Sequence, residues 1–237
     1  MNALERLQLL VKKRILVLDG AMGTMIQRYK LEEGDFKAKR FAHLPQKLYG
    51  AYDLLCLTRP DIISNIHEQY LEAGADIIET NTFSANAVSL DDYQLGGLVY
   101  EINYEAARLA SMACEKYSLL DPEKPRFVAG SIGPTNKSAS MSPDINDPGK
   151  RAINFDQLRD AYYQQISGLM DGGAQLLLIE TIFDTLNAKA ALFAVSNYER
   201  DNGIKIPVMI SGTIADKSGR TLSGQTLEAF YYSLSHH

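Results

Sequence analysis

The sequence predicts an α/β fold, with a parallel sheet covered by helices on both faces. Three observations carry this. Strand-like and helix-like stretches alternate along the chain, and the strand-like ones are apolar runs rather than alternating patterns. One strand–helix unit is also repeated: Ala73-Gly74-Ala75 leads through a strand to Glu79-Thr80, and Gly172-Gly173-Ala174 leads through another to Glu180-Thr181. Both copies then reach a phenylalanine (Phe83, Phe183) and an Asn-Ala pair (Asn86-Ala87, Asn187-Ala188).

In chain order, Leu4, Leu7 and Val11 recur at helical spacing and predict a short amphipathic lead-in helix. Residues 15–18, Ile-Leu-Val-Leu, read as a buried strand stopped by Asp19-Gly20-Ala21-Met22-Gly23. Thr58-Arg59-Pro60-Asp61 reads as a helix start, with Thr58 as the capping hydroxyl and Pro60 in the first turn. Ile62, Ile66 and Tyr70 continue that helix until Gly74, and residues 75–80 follow as a strand. A long helix is expected over 98–117, with Ile102, Ala106, Leu109 and Ala113 inward. Strands at 127–130, 176–179 and 207–210 alternate with helices at 156–170 and 188–198, and a last helix spans 226–234.

Strand starts near residues 15, 77, 127, 176 and 207 leave room for five strands. A complete eight-unit barrel averages about 31 residues per unit in ~250 residues. The pattern therefore fits a five-stranded doubly wound domain and a shortened barrel about equally.

Composition narrows the function classes. Lys and Arg number 24 against 29 Asp and Glu, for a net charge of −5 with no block of like charge, which argues against nucleic-acid or anionic-membrane surfaces. Two cysteines, Cys56 and Cys114, lie far apart and outside any Cys-x-x-Cys pattern, so neither a disulfide framework nor a cysteine zinc knuckle is expected. No apolar run approaches the ~20 residues of a membrane span. Residues 1–14 carry Glu5 and lack a signal-peptide core, so the expected location is cytoplasmic.

The polar residues cluster at one edge. Asp19, Glu79 with Asn81, Ser131 with Asn136, Glu180 with Asp184, and Ser211 with Thr213 all fall just past strand carboxyl ends, where parallel sheets bind ligands. Such positions also cap turns and helices. Asp19 and Glu180 stand apart because each directly follows four apolar residues and aims a carboxylate at the mouth of the sheet. Such a pair suits an ammonium ligand, or acid–base cleavage of a glycoside. The Asp-Gly-Ala-Met-Gly-Thr turn offers backbone N–H groups to a small anion, without being a dinucleotide fingerprint or a P-loop. Residues 133–150 form a long turn-rich loop of the kind that carries function or is disordered. His43 and His67 read as surface or helix-face residues, Cys114 as packing, and Cys56 as an unsuitable thiolate. His236 and His237 read as frayed chain-end residues.

Together these residues resemble the homocysteine-binding module of the cobalamin-dependent methionine synthases. The resemblance rests on residues 19–27 (Asp-Gly-Ala-Met-Gly-Thr-Met-Ile-Gln), 79–83 (Glu-Thr-Asn-Thr-Phe), 133–137 (Gly-Pro-Thr-Asn-Lys), 142–144 (Ser-Pro-Asp) and 218–226 (Ser-Gly-Arg-Thr-Leu-Ser-Gly-Gln-Thr), and runs essentially end to end. The loop from Pro-Thr-Asn to Asp-Pro-Gly sets this branch apart from betaine- or S-methylmethionine-dependent relatives. The resemblance implies an eight-stranded (β/α) barrel in which Asp19 and Glu180 hold the homocysteine ammonium group and the backbone of Gly20, Ala21 and Met22 meets its carboxylate. It also implies a zinc ion on three cysteine thiolates that activates the substrate sulfur for attack on methylcobalamin.

This chain departs from that pattern. The implied cysteines follow the segment matching Gly224-Gln225-Thr226, and neither the lone cysteine nor the adjacent pair is present. The expectation is a partial barrel domain over residues 1–237, about five βα units, with no metal ligands and no catalytic residue of its own. Zinc, methylcobalamin and turnover then belong to a parent enzyme with folate, cobalamin and activation modules. A barrel glycoside hydrolase using Asp19 or Glu79 with Glu180 is an alternative, though the absence of Trp counts against it. A non-catalytic binding module is another.

Overall fold

The computed structural model describes residues 3–214 and 216–236; His237 lies outside them. Among the described residues four parallel strands form one sheet: β1 (Ile77–Glu79), β2 (Phe127–Ile132), β3 (Leu176–Ile182) and β4 (Val208–Gly212). Their spatial order is their sequence order, with Ile77 paired to Phe127, Ala129 to Leu176 and Leu177 to Val208. A doubly wound sheet reverses its strand order at a switch point. This sheet never reverses, so it is an arc of a barrel, and the earlier tie is resolved.

The predicted first strand, residues 15–18, is reduced to one parallel bridge between Leu18 and Ile77, reinforced by Asp19 N–H to Ile77 O (2.9 Å) and Asp76 N–H to Val17 O (2.8 Å). It is not buried: Ile15 is 88% and Val17 53% exposed. An apolar run encodes burial on two sides, and here β1 is a neighbour on one side only. Asp76 fixes this segment from below. It is fully buried, takes two 2.8 Å hydrogen bonds from the Arg14 guanidinium and accepts Val17 N–H.

Among the described residues ten α-helices flank the sheet: α1 (Ala3–Val11), α2 (Met22–Gln27), α3 (Glu33–Lys37), α4 (Leu55–Thr58), α5 (Pro60–Glu72), α6 (Ala87–Leu90), α7 (Val99–Leu120), α8 (Phe155–Asp171), α9 (Thr185–Asn202) and α10 (Leu227–Leu234). Strand residues alternate between two buried surfaces, as in a barrel wall. Ile78, Val128, Leu177 and Ile179 face the outer helices and join the large core with Ala110, Ile166 and Ala191. Ile77, Phe127, Ala129, Leu176 and Leu178 face inward, where Leu7 and Leu10 of α1 pack against them. Each expected inward residue of α7 is buried.

Two boundaries differ from expectation. Pro60 does open α5, but Thr58 does not cap it: Thr58 ends α4, its hydroxyl donating to Leu54 O (3.4 Å), and no side chain caps at Arg59. Strand β3 continues past 179 to Ile182. His67 is a helix-face residue of α5, but fully buried, whereas His43 is exposed. Among the described residues no helix is long and apolar enough to cross a membrane.

Candidate active site

The repeat seen in the sequence is a repeat of backbone geometry. Gly74 and Gly173 turn with φ of +107° and +106°, each feeding a strand that carries a glutamate to the carboxyl edge of the sheet. In β3 the register slips between Ile179 and Ile182, and Thr181 adopts φ +54°, a left-handed value that β-branched residues avoid. Bulges of this kind re-aim side chains, and this one sits under Glu180.

Asp19, Glu79 and Glu180 converge there. Asp19 Oδ2 accepts the Glu79 N–H (2.9 Å), while Asp19 Oδ1 is buried with no hydrogen-bond partner among the described residues. The Glu79 carboxyl lies within hydrogen-bonding reach of Glu180. Ser131, from β2, donates its hydroxyl to Glu180 Oε1. Burial first, then the charge of Glu180, raises Asp19 to about 7, against the lowering pull of its backbone hydrogen bonds. Burial, with Glu180 and Asp19 alongside, raises Glu79 to about 8. None of the ion pairs among the described residues engages these three groups.

The carboxylates open into a cleft of about 770 Å³ whose near wall is Gly20, Ala21, Met22 and Gly23. The Tyr70 hydroxyl donates to Ala21 O (3.3 Å), and a Cβ on Gly20 would sit 3.1–3.4 Å from the Tyr70 ring and hydroxyl, so the turn lies close against α5. Tyr52, Tyr93 and Asp53 also line the cleft. Asp53 accepts Ser84 N–H (3.0 Å), and burial raises it to about 6.

The five residues that the sequence predicts for a ligand lie near one another: Gly20, Ala21, Met22 and Glu180 line the cleft, and Asp19 feels the charge of Glu180. Other strand-end residues have structural duties. Asp184 caps α9 through Leu186 N–H (2.9 Å), and Asn136 donates to Asp92 (2.8 Å). A supporting layer escaped the sequence: Thr80 accepts Ser131 N–H (3.0 Å), Thr82 donates to Ser131 O (2.7 Å), and the fully buried Gln165 donates to Thr82 O (2.9 Å). The only signal for it was the recurring Glu-Thr pair.

The metal test is negative for this donor set. Cys56 and Cys114 are buried on separate helices, burial raises both thiols, Cys114 to about 12, and among the described residues no three His, Cys, Asp or Glu side chains are placed to hold an ion. Cys56 instead meets Asn81 O at 3.7 Å, behind the end of β1.

The profile of the homocysteine S-methyltransferases matches residues 16–237. The chain belongs to the homocysteine S-methyltransferase family. Solved structures agree in fold. The metallated form of the homocysteine methyltransferase MmuM from Escherichia coli superposes with a TM-score of 0.74 at 22% identity, over 97% of this chain and 74% of that one. Its oxidised form gives 0.74 at 22%, over 97% and 72%, and its apo form 0.67 at 21%, over 96% and 70%. Family membership sets aside the glycoside-hydrolase alternative and supports homocysteine methyl transfer in general.

Proposed function

We propose that this chain binds L-homocysteine as methyl acceptor in a cobalamin-dependent methionine synthase. One observation carries the reading: half-buried carboxylates converge without a cationic partner among the described residues, beside a glycine-rich turn. An amino acid satisfies both features at once. Asp19 and Glu180 accept hydrogen bonds from its ammonium group, and the Gly20–Met22 backbone meets its carboxylate. The side chain, with its sulfur, then extends into the cleft. The motifs at 19–27, 79–83, 133–137 and 218–226 support the cobalamin-dependent branch, in which methylcobalamin donates the methyl group and methionine leaves.

The zinc of that reaction does not fit the thiols of this chain, so no step through it is assigned to these residues. We place its ligands in further barrel units that continue the open arc beyond β4, making residues 1–237 part of one homocysteine-binding domain. The folate, cobalamin and activation modules are its proposed partners.

Isothermal titration calorimetry with L-homocysteine tests the binding role. Glu180→Gln keeps the shape and removes the charge facing the ammonium. Losing one partner of a buried charged hydrogen bond costs on the order of 2–5 kcal/mol, so affinity is expected to fall at least tenfold. Unchanged affinity would remove Glu180 from the site.

A further inference from the structure

Two carboxylates suffice to hold an ammonium group, yet the cleft has a third. Glu79 closes β1 between the other two: its N–H is bound to Asp19, and its carboxyl reaches Glu180. Two carboxyl groups in hydrogen-bonding contact need a proton between them, because both are acceptors once ionised. An ammonium carries three N–H donors, and Asp19, Glu79 and Glu180 can each accept one.

We propose that Glu79 is a proton-bearing third member of the ammonium site, sharing its proton with Glu180 in the free protein and releasing it to solvent when the substrate ammonium takes its place. This deepens the homocysteine reading and rests on it. The balance is simple: RNH₃⁺ enters, one H⁺ leaves to water, and no covalent bond to carbon or sulfur changes. The raised value of Glu79, about 8, means that the proton is held at neutral pH. The groups facing it work the same way. Asp19 from the first segment and Glu180 from β3 are acidic, Tyr70 of α5 lies close by, and Asp53, Asp92, Tyr52 and Tyr93 line the same cleft. Among the described residues no lysine, arginine or histidine is paired with the trio, so the incoming ammonium supplies the missing positive charge. Three acceptors around one nitrogen also select a primary ammonium, with three N–H donors, over N-methylated amines, which carry fewer.

Calorimetry in buffers of different ionisation enthalpy counts the protons released. The probes are L-homocysteine and L-methionine; the second has the same amino-acid end but no ionisable thiol. At pH 7.5 both are expected to release close to one proton per molecule bound, and wild-type affinity is expected to rise about fiftyfold between pH 6 and 7, where Asp19 and Glu79 both give up protons, and to level off above about 8. Glu79→Gln, which keeps the size of the side chain, is expected to lose more than half of that proton release. The pH profile of the wild type stands on its own if the variant does not fold. Binding of both probes with no proton release, or with release unchanged in Glu79→Gln, overturns the role of Glu79 and leaves the homocysteine reading intact. Absence of binding by either probe to the wild type overturns both.

Discussion

At the scale of single residues, the site is a place where folding forces carboxyl groups into surroundings that favour their neutral form. Unfolded Asp and Glu titrate near 4. Asp19 at about 7 and Glu79 at about 8 lie above that in the folded chain. Their contribution to stability is therefore fully present below about pH 4 and is lost as pH rises through 7 and 8. His67 acts in the opposite direction. Its ring is fully buried, both nitrogens lack a partner among the described residues, and burial lowers it to about 4. Its contribution is present above about 6.5 and lost as pH falls toward 4. Between pH 6.5 and 8 the carboxyl groups dominate, so Tm measured by scanning calorimetry is expected to fall as pH rises. Glu79→Gln is expected to flatten the fall, and a Tm that climbs across this window would contradict the assignment.

Elements show which parts of the fold are written locally. Helix α7 was legible because twenty-two residues repeat one apolar face; the start of α8 is fixed by a reciprocal capping box between Asn154 and Gln157. The end of β3 was not. Its continuation through Glu180, Thr181 and Ile182 depends on a left-handed threonine, which no propensity favours and only the surrounding structure imposes. Thr58 was misread because its neighbours 55–57 form a helix of their own, which turns its hydroxyl backward. Glycine within a strand ordinarily destabilises by roughly 0.5–1 kcal/mol. At position 181 it is expected to be tolerated, with Tm unchanged or raised, because glycine reaches positive φ freely. A drop of several degrees in Thr181→Gly would show that the bulge is not strained.

On the scale of the whole molecule, strand order equals sequence order and the arc stays open. The apolar residues of the first segment and of β4, Ile15, Val17 and Ile210, remain exposed at its two edges. Sequence periodicity registers that such residues are apolar but not whether a neighbouring strand is present to cover them. This is why the first strand was expected to be buried and is not. The carboxyl-edge placement of Asp19, Glu79 and Glu180 was legible, since every parallel unit delivers its next polar residue to the same side. Their convergence was not, because it depends on the curvature of the arc and on the slip beneath Glu180. The most direct test of the central claim is a crystal structure of the chain with L-homocysteine bound. The account predicts the ammonium nitrogen within about 3 Å of Asp19 and Glu180 oxygens, with the carboxylate against the Gly20–Met22 backbone. An amino acid bound elsewhere, or reversed so that its carboxylate faces these acids, would contradict it.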